Sequence, residues 1–197
     1  MKPLRNALER RFPVKVDYLD ERAVDRLSHH LLHTFMQDVR QKELIILCIG
    51  TDRSTGDALG PLVGSKLARH LPAPIPVYGT LDHPVHAVNL VETIGRISRT
   101  HRDPYILALD ACLGQFQHVG TITLDEGPVK PGAGVQKNLP PVGSLHMTGI
   151  VNVGGFMEYF VLQNTRLSVV MKMADVMAEA ILHAVRRWQQ KETAALS

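Results

Sequence analysis

Leu44-Ile45-Ile46-Leu47-Cys48-Ile49-Gly50 and Tyr105-Ile106-Leu107-Ala108-Leu109-Asp110 are the stretches that decide the fold. Each is a short, unbroken apolar run that stops at glycine or charge. Neither alternates, so each reads as a strand buried on both faces, the kind found in parallel sheets. Parallel strands need crossover helices, and helical spacing lies on either side of both runs. Upstream, Asp20 reads as an N-cap, and Val24, Leu27, Leu31, Phe35 and Val39 recur with helical period to about Arg40. Between the runs, a polar loop from Gly50 to Gly60 leads to Pro61, which suits a first helical turn, with Leu62, Val63 and Leu67 facing inward. Pro72, Pro74 and Pro76 end that helix, and Val77 to Leu81 is a short strand. Val85, Val88, Val91, Ile94 and Ile97 then mark one face of another helix. Helix, strand, helix, strand, helix, strand is the order of an α/β protein. We expect a three-layer, open, mostly parallel sheet with helices on both faces.

The rest of the chain is less regular. Val14 to Tyr18 is a short extended candidate, and Val119 to Leu124 alternates as a more exposed strand would. The stretch 126–143, rich in Pro and Gly, reads as a long loop. A short helix is expected over Gly154 to Val161 and a last strand over Leu167 to Met171. A C-terminal helix follows, lined by Met173, Met177, Ile181, Ala184 and Trp188, with the tail 191–197 frayed. No repeat or boundary divides the 197 residues. They read as one domain, 1–197, with an N-terminal segment and helix over 1–40.

Composition narrows the class. Hydrophobic residues at 45% and charged residues at 21% describe a soluble globule rather than a disordered or fibrous chain. A net charge of +3 does not argue for nucleic acid. Arg96, Arg99 and Arg102 read as a solvated helix face, because no aromatic stacking platform accompanies them. Two cysteines, Cys48 and Cys112, exclude a disulfide scaffold or a cysteine-rich zinc module and fit free thiols in a reducing compartment. No apolar run reaches the ~18 residues of a membrane span, and the N-terminal residues lack a signal-peptide core. The expectation is a cytoplasmic protein with no membrane partner.

In an open α/β sheet, ligands bind beyond the carboxyl ends of the strands. Two acids fall there: Asp57, in Gly56-Asp57-Ala58-Leu59-Gly60-Pro61, and Asp110, which closes the second apolar run. Two carboxyls in one crevice push their pKa values apart, leaving one as base and one as acid. Asp57 also suits a helix N-cap, and Asp110 a strand-end contact. His146, in Ser144-Leu145-His146-Met147-Thr148-Gly149, follows the long loop. Asp57, Asp110 and His146 form either a metal-free acid–base set or an O,O,N site for a divalent metal. The metal-free set, requiring no cofactor, is the preferred reading. Asp52, His83, His86 and Thr148 are expected at the crevice as substrate contacts. The loop 50–60 has neither a Gly-Lys-Ser/Thr ending nor a Gly-x-Gly-x-x-Gly, so nucleotide binding is disfavoured.

Taken together, Gly56 to Pro61, Tyr78 to His86, Leu109-Asp110-Ala111 and Ser144 to Gly149 resemble the YyaC-type spore proteases. That group is similar to the spore germination protease, whose Asp-Ala-Leu-Gly-Pro motif matches Asp57 to Pro61. Its second aspartate matches Asp110. More distantly, the chain is similar to hydrogenase maturation proteases, whose nickel ligands correspond to Asp57, Asp110 and His146. Thr51 and Gly56 stand where those proteins carry Asn and the first of two acids. The resemblance implies a phosphorylase/hydrolase-like fold and an atypical aspartic or metal-assisted peptidase. It also implies a protein or peptide substrate, with small acid-soluble spore proteins as candidates, in a forespore or spore compartment, and it admits a homo-oligomer. The alternative is a non-catalytic sporulation factor that keeps the acidic crevice and binds peptide or metal.

Overall fold

In the computed structural model, which describes residues 12–72, 75–132 and 139–196, the two apolar runs lie side by side as parallel strands. Strand β2 (Glu43–Cys48) pairs with β4 (Pro104–Gly114) from Glu43↔Pro104 to Cys48↔Leu109. The chain runs β1 (Val14–Asp17), α1 (Ala23–Asp38), β2, α2 (Leu59–His70), β3 (Val77–Tyr78), α3 (Leu90–Thr100) and β4. After a short 3-10 turn at Phe116–His118 come β5 (Thr121–Glu126), β6 (Leu145–Val153), α4 (Glu158–Gln163) and α5 (Leu167–Leu196). The strand order in the six-stranded sheet is β1-β5-β6-β4-β2-β3. β3, β2, β4 and β6 are mutually parallel; β5 and β1 close one edge antiparallel.

Side-chain alternation divides the core in two. Leu107 and Leu109 of β4 and Leu145, Met147 and Val151 of β6 join the face covered by α1, α2 and α5. Ile45 and Leu47 of β2 and Ala108 of β4 join the other face, where Leu90 and Ile97 of α3 and the Val129 and Val142 bridge cover them. Burying each such aliphatic side chain contributes roughly 1.5–3 kcal/mol, so the central strands are held from both sides. The sheet is therefore mixed, with helices on both faces, in agreement with the expected α/β class.

Four local expectations need correction. Leu145–Val153, given no element in the sequence reading, is a central strand between β4 and β5. Its apolar residues alternate with His146, Thr148 and Asn152, which blurs the run. Leu167–Met171, expected as a strand, is the first turn of α5; burial of Val170, Met173, Ala174 and Met177 at helical spacing overrides its β-branched content. The tail is not frayed from residue 191 but remains helical to Leu196. In α3, the expected inner residues Val88 and Val91 are exposed; Leu90, Thr93 and Ile97 face the sheet, while Val85 bridges to Ile49. The early irregular segment, Pro74 and the middle of the long loop fall partly or wholly outside the described residues.

Candidate active site

The sheet reverses its direction of growth between β2 and β4: β2 is followed outward by β3, whereas β4 lies on β2's other side. Ligands bind at such switch points. A cavity of about 370 Å³ opens there, at the carboxyl ends of the parallel strands. Its walls come from the loop after β2, the loop before α3, the second half of β4, the segment 129–132, Thr148 of β6 and α4.

Asp57 and Asp110 both line this cavity. The loop carrying Asp57 is set by two glycines. Gly50 leaves β2 with φ +141°, and a side chain there would meet the Asp57 carbonyl. Gly60, in the first turn of α2, lies so close to the end of β2 that a Cβ would run into the Ile49 carbonyl oxygen. These close approaches fold the loop back so that Asp57 stands over the strand end.

Asp110 does not end its strand. β4 continues to Gly114, and Asp110 lies opposite Thr148 of β6, one position beyond the last β2 partner. Its side chain takes the α3 face, as Ala108 does. Only 5% of the residue is exposed. Burial and the neighbouring Asp57 charge both hold its carboxyl well above the usual range, and the Ala111 N–H, donating at 2.9 Å, offsets this only in part. Burial also raises Asp57, but less completely opposed groups help it ionise: the Thr51 N–H donates to it and the His86 charge favours its anion. The two acids therefore stand in unequal environments, with Asp110 the stronger proton holder.

The histidine that shares the cavity is His86. The Val88 N–H donates to its Nδ1 at 3.3 Å. His146 sits one pleat below Thr148, in register with Ala108 rather than Asp110. Its Nδ1–H donates to the Gly127 carbonyl at 2.9 Å, and the residue is not among those lining the cavity. Among the described residues, no group of three or more His, Cys, Asp or Glu side chains converges to hold a metal ion. Asp57, Asp110 and His146 thus do not come together as a three-ligand set. Thr148 lines the cavity; Asp52 and His83 are exposed outside its lining, the His83 N–H donating to Thr80 Oγ1 in a turn.

Cys112, Ser54 and Tyr159 are among the wall residues that were not anticipated. Cys112 follows Asp110 on the same face; burial and the Asp110 charge push its thiol up to about 11, against the Thr148 hydroxyl beside it. Cys48 is fully buried instead, on the face of β2 covered by α1, α2 and α5. Ser54, 7% exposed, has a buried hydroxyl with no hydrogen-bond partner among the described residues, a state that costs roughly 1–3 kcal/mol. Tyr159 of α4 lines the rim, and around it Phe156, Met157 and Phe160 are exposed, with Phe116 beyond β4. The spacing of the sequence gave no warning of Ser54, but the aromatic cluster at 156–160 was visible as an apolar stretch on too short a helix to bury it.

An α/β sheet with two unequally buried carboxyls at its switch point is the class of protein this geometry defines. Its fold is similar to that of a NiFe hydrogenase maturation protease, HycI from Thermococcus kodakarensis KOD1, with a TM-score of 0.50 over 79% of this chain and 98% of that one, at 16% identity. The chain belongs to the DUF1256 family, described as a protein of unknown function, whose model matches residues 15–180. It is 51% identical over 177 residues to uncharacterized protein YyaC of Bacillus subtilis (strain 168), covering 89% of this chain and 86% of that protein. No helix among the described residues is long and apolar enough to cross a membrane.

Proposed function

We propose that the protein is a peptidase that hydrolyses peptide bonds with the Asp57/Asp110 pair, acting on spore proteins. The observation that carries this reading is the convergence of the two carboxyls in one cavity, both raised by burial but to unequal extents, with Asp110 the more strongly held in its protonated form. Asp57, as carboxylate, takes a proton from water while the water oxygen bonds to the carbonyl carbon. Asp110, as acid, gives its proton to the carbonyl oxygen. The intermediate then collapses: Asp57 passes its proton to the leaving nitrogen, the C–N bond breaks, and Asp110 recovers a proton from the hydroxyl. General acid–base steps of this kind contribute about 10²–10⁴-fold each.

His86, rather than His146, is the histidine placed to support Asp57, since its charge favours the carboxylate. His146 acts one step away, fixing the 126–127 turn through the Gly127 carbonyl. The exposed Phe156, Met157 and Phe160 beside the rim favour a polypeptide over a small polar substrate, because they extend apolar surface beyond the cavity itself.

The test is incubation of the purified protein with acid-soluble spore proteins, with chelator and with added divalent metal. Cleavage that persists with chelator and falls at least ~10²-fold in both Asp57→Asn and Asp110→Asn supports the two-carboxyl mechanism. Cleavage only with added metal would replace it by a metal-assisted one. Binding without cleavage under every condition would leave a sporulation factor that binds peptide without turnover.

A further inference from the structure

We propose that the cavity selects a peptide bearing a carboxylate, which Arg53, Ser54 and Lys130 receive. The inference rests on the peptide reading of the site and adds the chemistry of the substrate.

It follows from a mismatch in the cavity wall. The acceptors there already have donors. Asp110 takes the Ala111 N–H, Asp57 takes the Thr51 N–H, and Glu158 takes the Gly155 N–H at 3.2 Å. Three donors of the wall, on Arg53, Ser54 and Lys130, have no side-chain acceptor among the described residues. Among the described residues Arg53 and Lys130 form no ion pair, and the Arg53 guanidinium makes no hydrogen bond, its backbone N–H donating to Thr51 Oγ1. The Ser54 hydroxyl, buried in the same loop, has no hydrogen-bond partner among the described residues. A buried hydroxyl left unpaired in a cavity wall points to an occupant that pairs it.

Arg53 and Ser54 come from the loop after β2, and Lys130 from the segment that caps the α3 face, so the donors approach from two walls. Planar, bidentate acceptance is what an arginine beside a hydroxyl offers a carboxylate. A dianionic group suits the cavity poorly, because Asp57 and Glu158 add negative charge to the same wall. The remaining lining, with Val88, Leu113, Leu139 and Tyr159, is apolar and fits the flanking side chains of a peptide rather than a bare ion.

The carboxylate can belong to an acidic side chain or to a chain end, and one experiment separates them. Binding is measured by fluorescence anisotropy in the Asp110→Asn protein, so that turnover does not enter. The probes are fluorescein-labelled ten-residue peptides built on Leu, Gly and Ser. One carries a central Glu and an amidated end, one has Gln in its place and an amidated end, and one has Gln and a free C-terminal carboxylate. At least one acid is expected to bind about tenfold more tightly than the neutral peptide. Whichever acid gains identifies the source. Arg53→Gln with Lys130→Gln should remove the preference, and Ser54→Ala should weaken the preferred acid several-fold while keeping the order. Arg53 and Lys130 are exposed, so circular dichroism of the double variant should match the parent.

Equal binding of all three peptides, no binding of any, or a preference that survives the double variant would overturn the proposal. None of those outcomes bears on cleavage by the parent protein. Conversely, an absence of cleavage with the acid preference intact would sink the peptidase reading and leave this one standing.

Discussion

At the scale of the residue, the two aspartates are distinguished by what surrounds them. Asp110 is buried within the sheet and feels Asp57; Asp57 has the Thr51 N–H and His86. A carboxyl whose folded pKa is raised binds its proton more tightly in the folded than in the unfolded chain. Its contribution to stability is then full below the unfolded value, near 3.9, and is lost as pH rises through the folded value. Asp110→Asn removes that loss, because the amide stays neutral. The variant should melt above the parent at pH 7–8, and the difference should shrink toward about pH 3, below the unfolded value, where Asp110 is protonated in both states. Thermal melts of both proteins across this range check it. A parent that gains stability over Asp110→Asn as pH rises would mean that Asp110 is ionised in the fold. The sequence placed both acids at strand ends but could not rank them, because the ranking comes from β6 and from the reach of β4 beyond β2. It also put His146 with the acids. Two residues of register, Ala108 rather than Asp110 opposite His146, turn that side chain's partner into the Gly127 carbonyl, and register is a property of strand pairing that one strand's sequence does not contain.

At the scale of the element, legibility followed periodicity. β2 and the first half of β4 are buried on both faces and read as unbroken apolar runs, and α1 and α2 as amphipathic helices. β6 escaped because one of its faces carries His146 and Thr148 toward the site and the α3 side, so polar residues interrupt it. α3 was placed, but its rotation was not: Val88 and Val91 are apolar and exposed, and Thr93 is buried. The glycines sort elements in the same way. Gly60 faces the backbone of Ile49, which cannot withdraw, whereas a Cβ at Gly95 in α3 would meet only the tip of the Arg99 side chain, at 3.2 Å. Gly60→Ala should therefore cost roughly 1–3 kcal/mol and displace the loop holding Asp57, lowering both melting temperature and peptide binding. Gly95→Ala should instead stabilise by about 0.5–1 kcal/mol, since an interior helical glycine is replaced at no steric cost. Urea titrations of the two variants read both signs. Destabilisation by Gly95→Ala would show that α3 needs the glycine for a reason other than space.

At the scale of the whole molecule, the sheet separates chemistry from support. The cavity occupies the carboxyl ends of the strands, with the acids toward the α3 face, while the larger core lies on the opposite face under α1, α2 and α5. Within that core, α5 packs along both α1 and α2, and Trp188 lies against Phe35 with ring centroids 5.8 Å apart. Trp188 is 8% exposed and Phe35 is fully buried, so their contact ties the last helix to the first. Neither residue lines the cavity. Trp188→Ala should cost roughly 3–5 kcal/mol by leaving a void between these helices. For a chain of this size, that corresponds to a melting temperature lower by roughly 6–20 °C. Peptide affinity measured well below the transition should stay within about twofold of the parent, because the contacts around Asp57, Asp110 and Arg53 are made by other elements. A variant that keeps its melting temperature but loses affinity would mean that α5 reaches the site through α2, whose first turn carries Gly60 against the end of β2. That outcome would make the helix-covered face part of the binding machinery instead of its support.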